Sequence, residues 1–290
     1  MKIFVTGASG FVGSAVVREL IQAGHEVVGL ARSDANARTI AEAGASVHRG
    51  SLEDLDSLQR GAADSDGVIH TAFVHDFSNY AASAEVDGRA IEALGAALAG
   101  SGRPLVVTSG ALVASAGSIA TEDMPTDASF ARRSETTALP FVAREVRVSV
   151  VRLPPTVHGA GDHGFVPELI RIARDKGVAA YVGDGTNRWP AVHRLDAARA
   201  YRLAFEKAPA GTRVHAIAEE GIPTREIAAV IGKRLGVPVA TRPVEHFGWL
   251  GPFFARDLPT SSEKTQKLLG WRPVEKSLLA DLDSAAYFGG

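Results

Sequence analysis

The chain has 290 residues, no cysteine, and 31 basic against 33 acidic side chains for a net charge of -2. That balance gives no basic face for nucleic acid or an anionic membrane, and the missing thiols exclude disulfides, thiolate catalysis and thiolate metal sites. No apolar run reaches the roughly 18 residues that span a bilayer, and a strand beginning at residue 2 leaves no room for a signal peptide, so a cytoplasmic protein is expected.

The opening strand, Ile3-Phe4-Val5-Thr6, runs straight into Gly7-Ala8-Ser9-Gly10-Phe11-Val12-Gly13, a GxxGxxG loop. Gly7 permits a sharp turn out of the strand, Gly10 lets the backbone approach a pyrophosphate, and Gly13 lets the next helix pack closely on the sheet. Apolar residues at helical spacing (Val16, Val17, Leu20, Ile21) predict a helix over 14–23, and Gly24 stops it. A diphosphate at that helix N-terminus meets free N–H groups and the positive end of the helix dipole. The second strand, Glu26 to Ala31, ends on Arg32-Ser33, where an NAD site usually places a carboxylate. A guanidinium suits a 2′-phosphate, so the expected cofactor is NADPH (NADP), unless Asp34 turns inward.

Further along come a strand at 46–48, a helix at 52–61, a strand at 67–72, a helix at 85–99, a strand at 104–108, a helix at 129–144 and a strand at 146–152. This alternation predicts an α/β fold, a Rossmann-type doubly wound parallel sheet, with ligands at the carboxyl ends of its strands. Past Leu153 proline and glycine are frequent (Pro154-Pro155, Gly159, Gly161, Gly183, Gly185, Pro190), which predicts loops and short elements over the cofactor. A helix at 195–207 and a strand at 212–217 return to the sheet, and helices near 224–235, 261–269 and 275–287 complete a small C-terminal substrate cap. The expected division is 1–158 with 191–219 for the dinucleotide-binding domain, and 159–190 with 220–290 for the cap.

In order and spacing, TGASGFVG, DGVIHTA (66–72), VVTSG (106–110), VVRLPPTVHG (150–159), VGDG (182–185), VHRLDAARAY (192–201) and LGWRP (269–273) resemble the atypical or extended short-chain dehydrogenase/reductases of NAD(P)-dependent epimerase/dehydratase type. The resemblance implies that Gly7, Ser9, Gly10, Phe11, Val12 and Gly13 hold the pyrophosphate and Arg32 with Ser33 the adenosine phosphate. Ser51-Leu52 would lie beside the adenine. Thr71, Ala72, Phe73, Val74 and Thr108 would line the cofactor, and Leu153, Pro154, Thr156 and Val157 would pass near the nicotinamide. In such proteins the fourth and sixth helices often pair in a homodimer.

The catalytic pattern departs from that family. Reduction of a carbonyl builds negative charge on oxygen and needs a hydrogen-bond donor and a proton source, which family members supply with Ser and Tyr-x-x-x-Lys. Ser109 fits the Ser, but none of the four tyrosines has a lysine four residues on, and the expected Tyr and Lys positions carry Asp127 and Ala131. Asp87 stands where the family often has an asparagine. Arg132 and Arg133 adjoin the lysine position, and Arg133 is the one chosen here. His158 is a proton-donor candidate because its ordinary pKa lies near 6.5. His75 and Tyr80 follow the fourth strand and border the substrate, and Trp189 joins Phe130, Phe165, Phe247, Trp249, Phe253 and Phe254 as candidate pocket walls. His158, Asp162 and His163 lack a third metal ligand at familiar spacing, so no metal is expected.

Three functions remain open. The first is NADPH-dependent hydride transfer to a carbonyl, imine or activated double bond of a small organic substrate. The second is nucleotide-sugar epimerisation or dehydration, and the third a non-catalytic NADPH-binding redox sensor.

Overall fold

In the computed structural model, which describes residues 1–74, 79–111, 118–127, 132–284 and 287–288, the opening strand lies inside a seven-stranded sheet, next to its central strand. The strands are β1 (Lys2–Thr6), β2 (Glu26–Ala31), β3 (Ser46–Arg49), β4 (Gly67–His70), β5 (Pro104–Gly110), β6 (Arg147–Leu153) and β10 (Thr212–His215). Their spatial order is β10-β6-β5-β4-β1-β2-β3, and every pairing within it is parallel. The connection reverses direction between β1 and β4, which places a ligand crevice at the carboxyl ends of those two strands.

Alternation along β1 shows how the sequence builds both faces. Ile3 and Val5 pack with α1 (Phe11–Gln22) and α7 (Arg194–Lys207), while Phe4 faces α3 (Leu55–Ala63) and α4 (Tyr80–Leu98). Helix α1 buries Val16, Val17 and Leu20, the apolar stripe read from the sequence. Helix α3 starts at Asp54, whose side chain accepts from Ser57 N at 3.0 Å.

Three local expectations are corrected. Helix α2 (Asp34–Glu42) was not expected, because it is short, mostly polar and buries only Ala37 and Ile40; Ser33 caps it by accepting from Asn36 N at 3.2 Å. The helix predicted over 129–144 is a single turn and a half, α5 (Ser134–Ala138), continued by a 3-10 helix at Leu139–Arg144. The stretch read as loops contains a three-turn helix, α6 (Phe165–Lys176), with Val166, Leu169, Ile170, Ile172 and Ala173 buried.

The second core lies around α6 and α8 (Thr224–Leu235), with β8 (Ala179–Tyr181) pairing β12 (Val239–Thr241). Between the cores a three-stranded sheet, β11-β9-β7, is formed by β7 (Thr156–His158), β9 (Arg188–His193) and β11 (Glu219–Pro223). Short helices α9 (Gly251–Phe254), α10 (Glu263–Leu269) and α11 (Leu278–Leu282) complete the chain. The LGWRP segment is anchored by Trp271, buried with its Nε1 donating to Asp196 O at 3.0 Å, while Asp196 accepts from the backbone N of Val274 and Glu275.

Candidate active site

The glycine loop is shaped by sterics. Gly7 has φ +70, and a Cβ there would sit 2.7 Å from Ala72 N; a Cβ on Gly13 would lie 2.0 Å from Gly7 O. Gly10, by contrast, is exposed and is the N-cap of α1, and no side chain caps the helix. The first N–H groups of α1 therefore face an open crevice, which is the donor set a diphosphate requires. The residues fit the pyrophosphate of a nicotinamide dinucleotide.

At the end of β2 Arg32 is exposed, while Asp34 forms a surface ion pair with Arg49 Nη2 at 2.6 Å. Ser51 accepts from the backbone N of Glu53 and Asp54, so its side chain shapes the turn that leads into α3, with Leu52 packed against the neighbouring core.

The chemistry concentrates at the carboxyl ends of β4 and β5. Thr6 Oγ1 donates to His70 Nδ1 at 2.7 Å, and His70 Nε2 donates to Asp87 Oδ1 at 3.2 Å. Ser134 Oγ donates to Asp87 Oδ2 and accepts from Arg132 Nε at 2.8 Å. Arg132 Nη2 reaches Asp87 Oδ1 at 3.5 Å and donates to the Thr108 carbonyl at 3.1 Å. Its guanidinium lies 4.1 Å over the Phe73 ring, which in turn is 5.5 Å from the Tyr80 ring.

Asp87 is 1 % exposed and His70 0 %. Burial alone raises the Asp87 carboxyl, but the Arg132 charge and the hydrogen bonds from His70 and Ser134 outweigh it and hold the group below the ordinary carboxylate value. Burial raises the Tyr80 phenol, opposed by Arg132 and assisted by Asp87.

Ser109 closes this end of β5, buried and in register with Arg152. Its hydroxyl makes no hydrogen bond among the described residues, unlike Thr108, whose Oγ1 bonds the His70 carbonyl and Tyr201 Oη, both at 2.7 Å.

The arginine expectation is corrected here. Arg133 is exposed at the N-cap of α5, and the side chain that enters the site is Arg132. Because the helix begins only at residue 134, the two arginines lie on non-helical backbone and helical counting does not order them.

His158 is likewise placed elsewhere. It is fully buried, with Nδ1 bonded to Asp281 Oδ2 at 3.0 Å and its ring 5.3 Å from that of His193. Burial, partly offset by Asp281, lowers its pKa, and the ring lies against Asp281 and His193 rather than at the ends of β4 and β5. His193 accepts from Leu195 N and starts α7.

Trp189 is 0 % exposed, as Phe247 and Phe254 nearly are, so these three lie in the interior of the second core. The half-buried Phe165 and Phe253 and the 51 % exposed Trp249 remain as surface aromatics, with Phe165 within 6 Å of both. Along the expected nicotinamide segment, Thr156 Oγ1 is tied to the Pro190 carbonyl, while Leu153 and Val157 are half-buried against the main core. His75 and Phe130 lie outside the described residues. Sequence reasoning missed Ser134 and His70 as site groups; the signal available was that Asp87, Ser134 and His70 are polar positions on otherwise apolar faces.

Among the described residues no group of three His, Asp or Glu is placed to hold a metal ion, and no helix is long and apolar enough to cross a membrane.

A crossover sheet with a glycine loop at its first turn and polar groups at the ends of β4 and β5 defines a dinucleotide-dependent Rossmann enzyme class. The chain belongs to the NAD dependent epimerase/dehydratase family, whose sequence model matches residues 3–217. It is 54% identical to an uncharacterized protein of Schizosaccharomyces pombe, C2A9.02, over 99% of this chain and 100% of that one. It is 30% identical to a 2-alkyl-3-oxoalkanoate reductase of Stenotrophomonas maltophilia, covering 82% of this chain and 77% of that one. Among solved structures, dTDP-glucose 4,6-dehydratase of Streptomyces venezuelae, with NAD and TYD bound, superposes with a TM-score of 0.79 at 22% identity, over 100% of this chain and 97% of that one.

Proposed function

We propose that the protein is an NADPH-dependent reductase of a carbonyl group on a small, largely apolar organic substrate. The observation that carries the reading is Arg132, seated on the Thr108 carbonyl next to Ser109 at the carboxyl edge of the sheet. The relative named a 2-alkyl-3-oxoalkanoate reductase supports the same reaction class.

The N-terminus of α1 would hold the pyrophosphate and Arg32, assisted by Arg49, the 2′-phosphate. When bound, the cofactor supplies a hydride to the carbonyl carbon. The protein's share is to stabilise the charge that grows on oxygen. Arg132 Nη1 has no hydrogen-bond partner among the described residues, so its N–H groups and the Ser109 hydroxyl are available to that oxygen. A guanidinium stays protonated throughout and acts as an electrostatic group, so the proton that completes the alcohol comes from water by way of Ser109. Phe73 and Tyr80 supply an apolar wall.

The test is NADPH consumption with a panel of aromatic and branched 3-oxoesters, ketones, imines and enones. Turnover with carbonyls and a preference for NADPH are expected. Protein that purifies with tightly held NAD and consumes no NADPH with any of them overturns the reading in favour of epimerase or dehydratase chemistry.

A further inference from the structure

Two departures from the family's usual pattern, an arginine at 132 beside the expected lysine position and Asp87 in the fourth helix in place of an asparagine, meet at one point of the structure. We propose that Asp87 is the positioning residue for Arg132, fixing the guanidinium that takes the substrate oxygen, so that the Asn-to-Asp and Lys-to-Arg changes are one coupled replacement. The inference rests on the reductase reading for the identity of that oxygen.

The donors around Asp87 suit a carboxylate. Oδ1 receives His70 Nε2 and faces Arg132 Nη2, while Oδ2 receives Ser134 Oγ. In this arrangement all three neighbours present hydrogens. An amide's NH₂ would be accommodated only by turning the Ser134 hydroxyl away or by switching the His70 tautomer, and the first of these undoes the orientation of Ser134. Ser134 then passes the constraint on: its hydroxyl hydrogen is committed to Asp87, so its oxygen is oriented to accept from Arg132 Nε.

With Nε on Ser134, Nη2 on the Thr108 carbonyl and the planar face on Phe73, the guanidinium has no rotational freedom left except through rupture of this set. His70 is held in turn by Thr6, the last residue of β1 before the glycine loop. The line of bonds therefore ties the arginine to the same strand end that carries the cofactor loop.

A positioning carboxylate makes a prediction of opposite signs that a merely structural one does not. Asp87 orients Arg132 but also neutralises part of its charge, being 3.5 Å away. Removing it should free charge while loosening geometry. The probe is 4-nitrophenol, whose ionised form is coloured and mimics an oxyanion, titrated into the cofactor-free protein.

In Asp87→Asn, phenolate affinity should rise by about tenfold, as a shift of one pKa unit on the bound phenol, while kcat for carbonyl reduction falls by at least as much and KM for NADPH stays constant. Arg132→Met should lose the phenolate affinity. Ser134→Ala, which cuts the orienting link but leaves both charges, should lower kcat without raising phenolate affinity, and it serves if Asp87→Asn does not fold.

Parallel loss of phenolate binding and turnover in Asp87→Asn, or no change in either, overturns the proposal. Unaltered phenolate affinity in Arg132→Met also overturns it. Should the wild type reduce no carbonyl while the opposed phenolate shifts appear, the Asp87–Arg132 assignment stands and the reductase reading alone fails.

Discussion

Asp34 lies two residues beyond Arg32, near enough in the chain to serve a ribose hydroxyl, and in this structure it pairs with Arg49 at 2.6 Å on the surface. Under the proposed reading, Arg32→Glu should cost NADPH about a hundredfold in affinity, the scale of one or two charge-assisted hydrogen bonds lost and a repulsion gained. NADH affinity should change little. Calorimetric titration of both coenzymes checks this, and equal losses refute the 2′-phosphate role.

Gly13 gives a stricter test of the loop, since a Cβ 2.0 Å from Gly7 O has only backbone to push against. Gly13→Ala should destabilise the fold by about 2 kcal/mol or more and abolish binding of both coenzymes; a variant with wild-type melting temperature and binding would contradict the close packing. At this scale the glycines and Ser109 were legible because backbone sterics and strand ends are local properties. Arg132 was not distinguishable from Arg133, because which of two adjacent side chains turns inward depends on where α5 begins, and that is set by Ser134 meeting Asp87 across 47 residues.

An apolar stripe made α1 readable but was not sufficient for every helix. Helix α1 announces itself with Val16, Val17 and Leu20, whereas α2 buries two residues and depends on its Ser33 cap. Helix α6 hides behind Pro167 and the glycines before it, although a proline in the first turn costs no intrahelical bond.

The junction of β6, β10 and α10 is held by charge. Arg152, fully buried, pairs with Glu135 and donates from Nη1 to His215 Nε2 at 3.1 Å; His215 Nδ1 therefore carries the proton and donates to the Ser261 carbonyl at 2.7 Å. Burial pushes the His215 pKa from 6.5 down to about 4.

Above pH 6.5 the imidazole is neutral in both folded and unfolded chains and has no pH-dependent effect. As pH falls from 6.5 toward 4 the unfolded chain takes up a proton that the folded one refuses, so stability drops, by at most about 3 kcal/mol, and then levels. Urea midpoints measured across this range should fall in the wild type and flatten in His215→Gln. Equal slopes for the two proteins would remove His215 from the account.

On the scale of the whole molecule the end of the chain secures the covering of its beginning. Tyr287 Oη accepts from Gly159 N and donates to Asp162 Oδ2, both at 3.0 Å. The loop held in this way places His163 edge-on to Phe11 at 5.7 Å, against the first residue of α1, while Arg194 bonds the Ala160 carbonyl and lies 4.9 Å over the same Phe11 ring. The doubly wound half was legible because consecutive strands and helices encode it locally; this closure was not, since its partners are more than 120 residues apart.

Tyr287→Phe leaves the Gly159 N–H and Asp162 Oδ2 without the tyrosine hydroxyl, while Asp162 Oδ1 keeps the Gly164 N–H, at a cost of about 1–2 kcal/mol. Under the proposed reading, in which the N-terminus of α1 holds the pyrophosphate, the loosened loop touches the first residue of that helix, so the variant should weaken NADPH and NADH to the same extent, by about three- to tenfold. Thermal melting with and without each coenzyme reads both effects together. A lowered melting temperature with both affinities intact would show that the loop packs on Phe11 without gating the cofactor, and a loss confined to NADPH would move its influence to the adenosine phosphate.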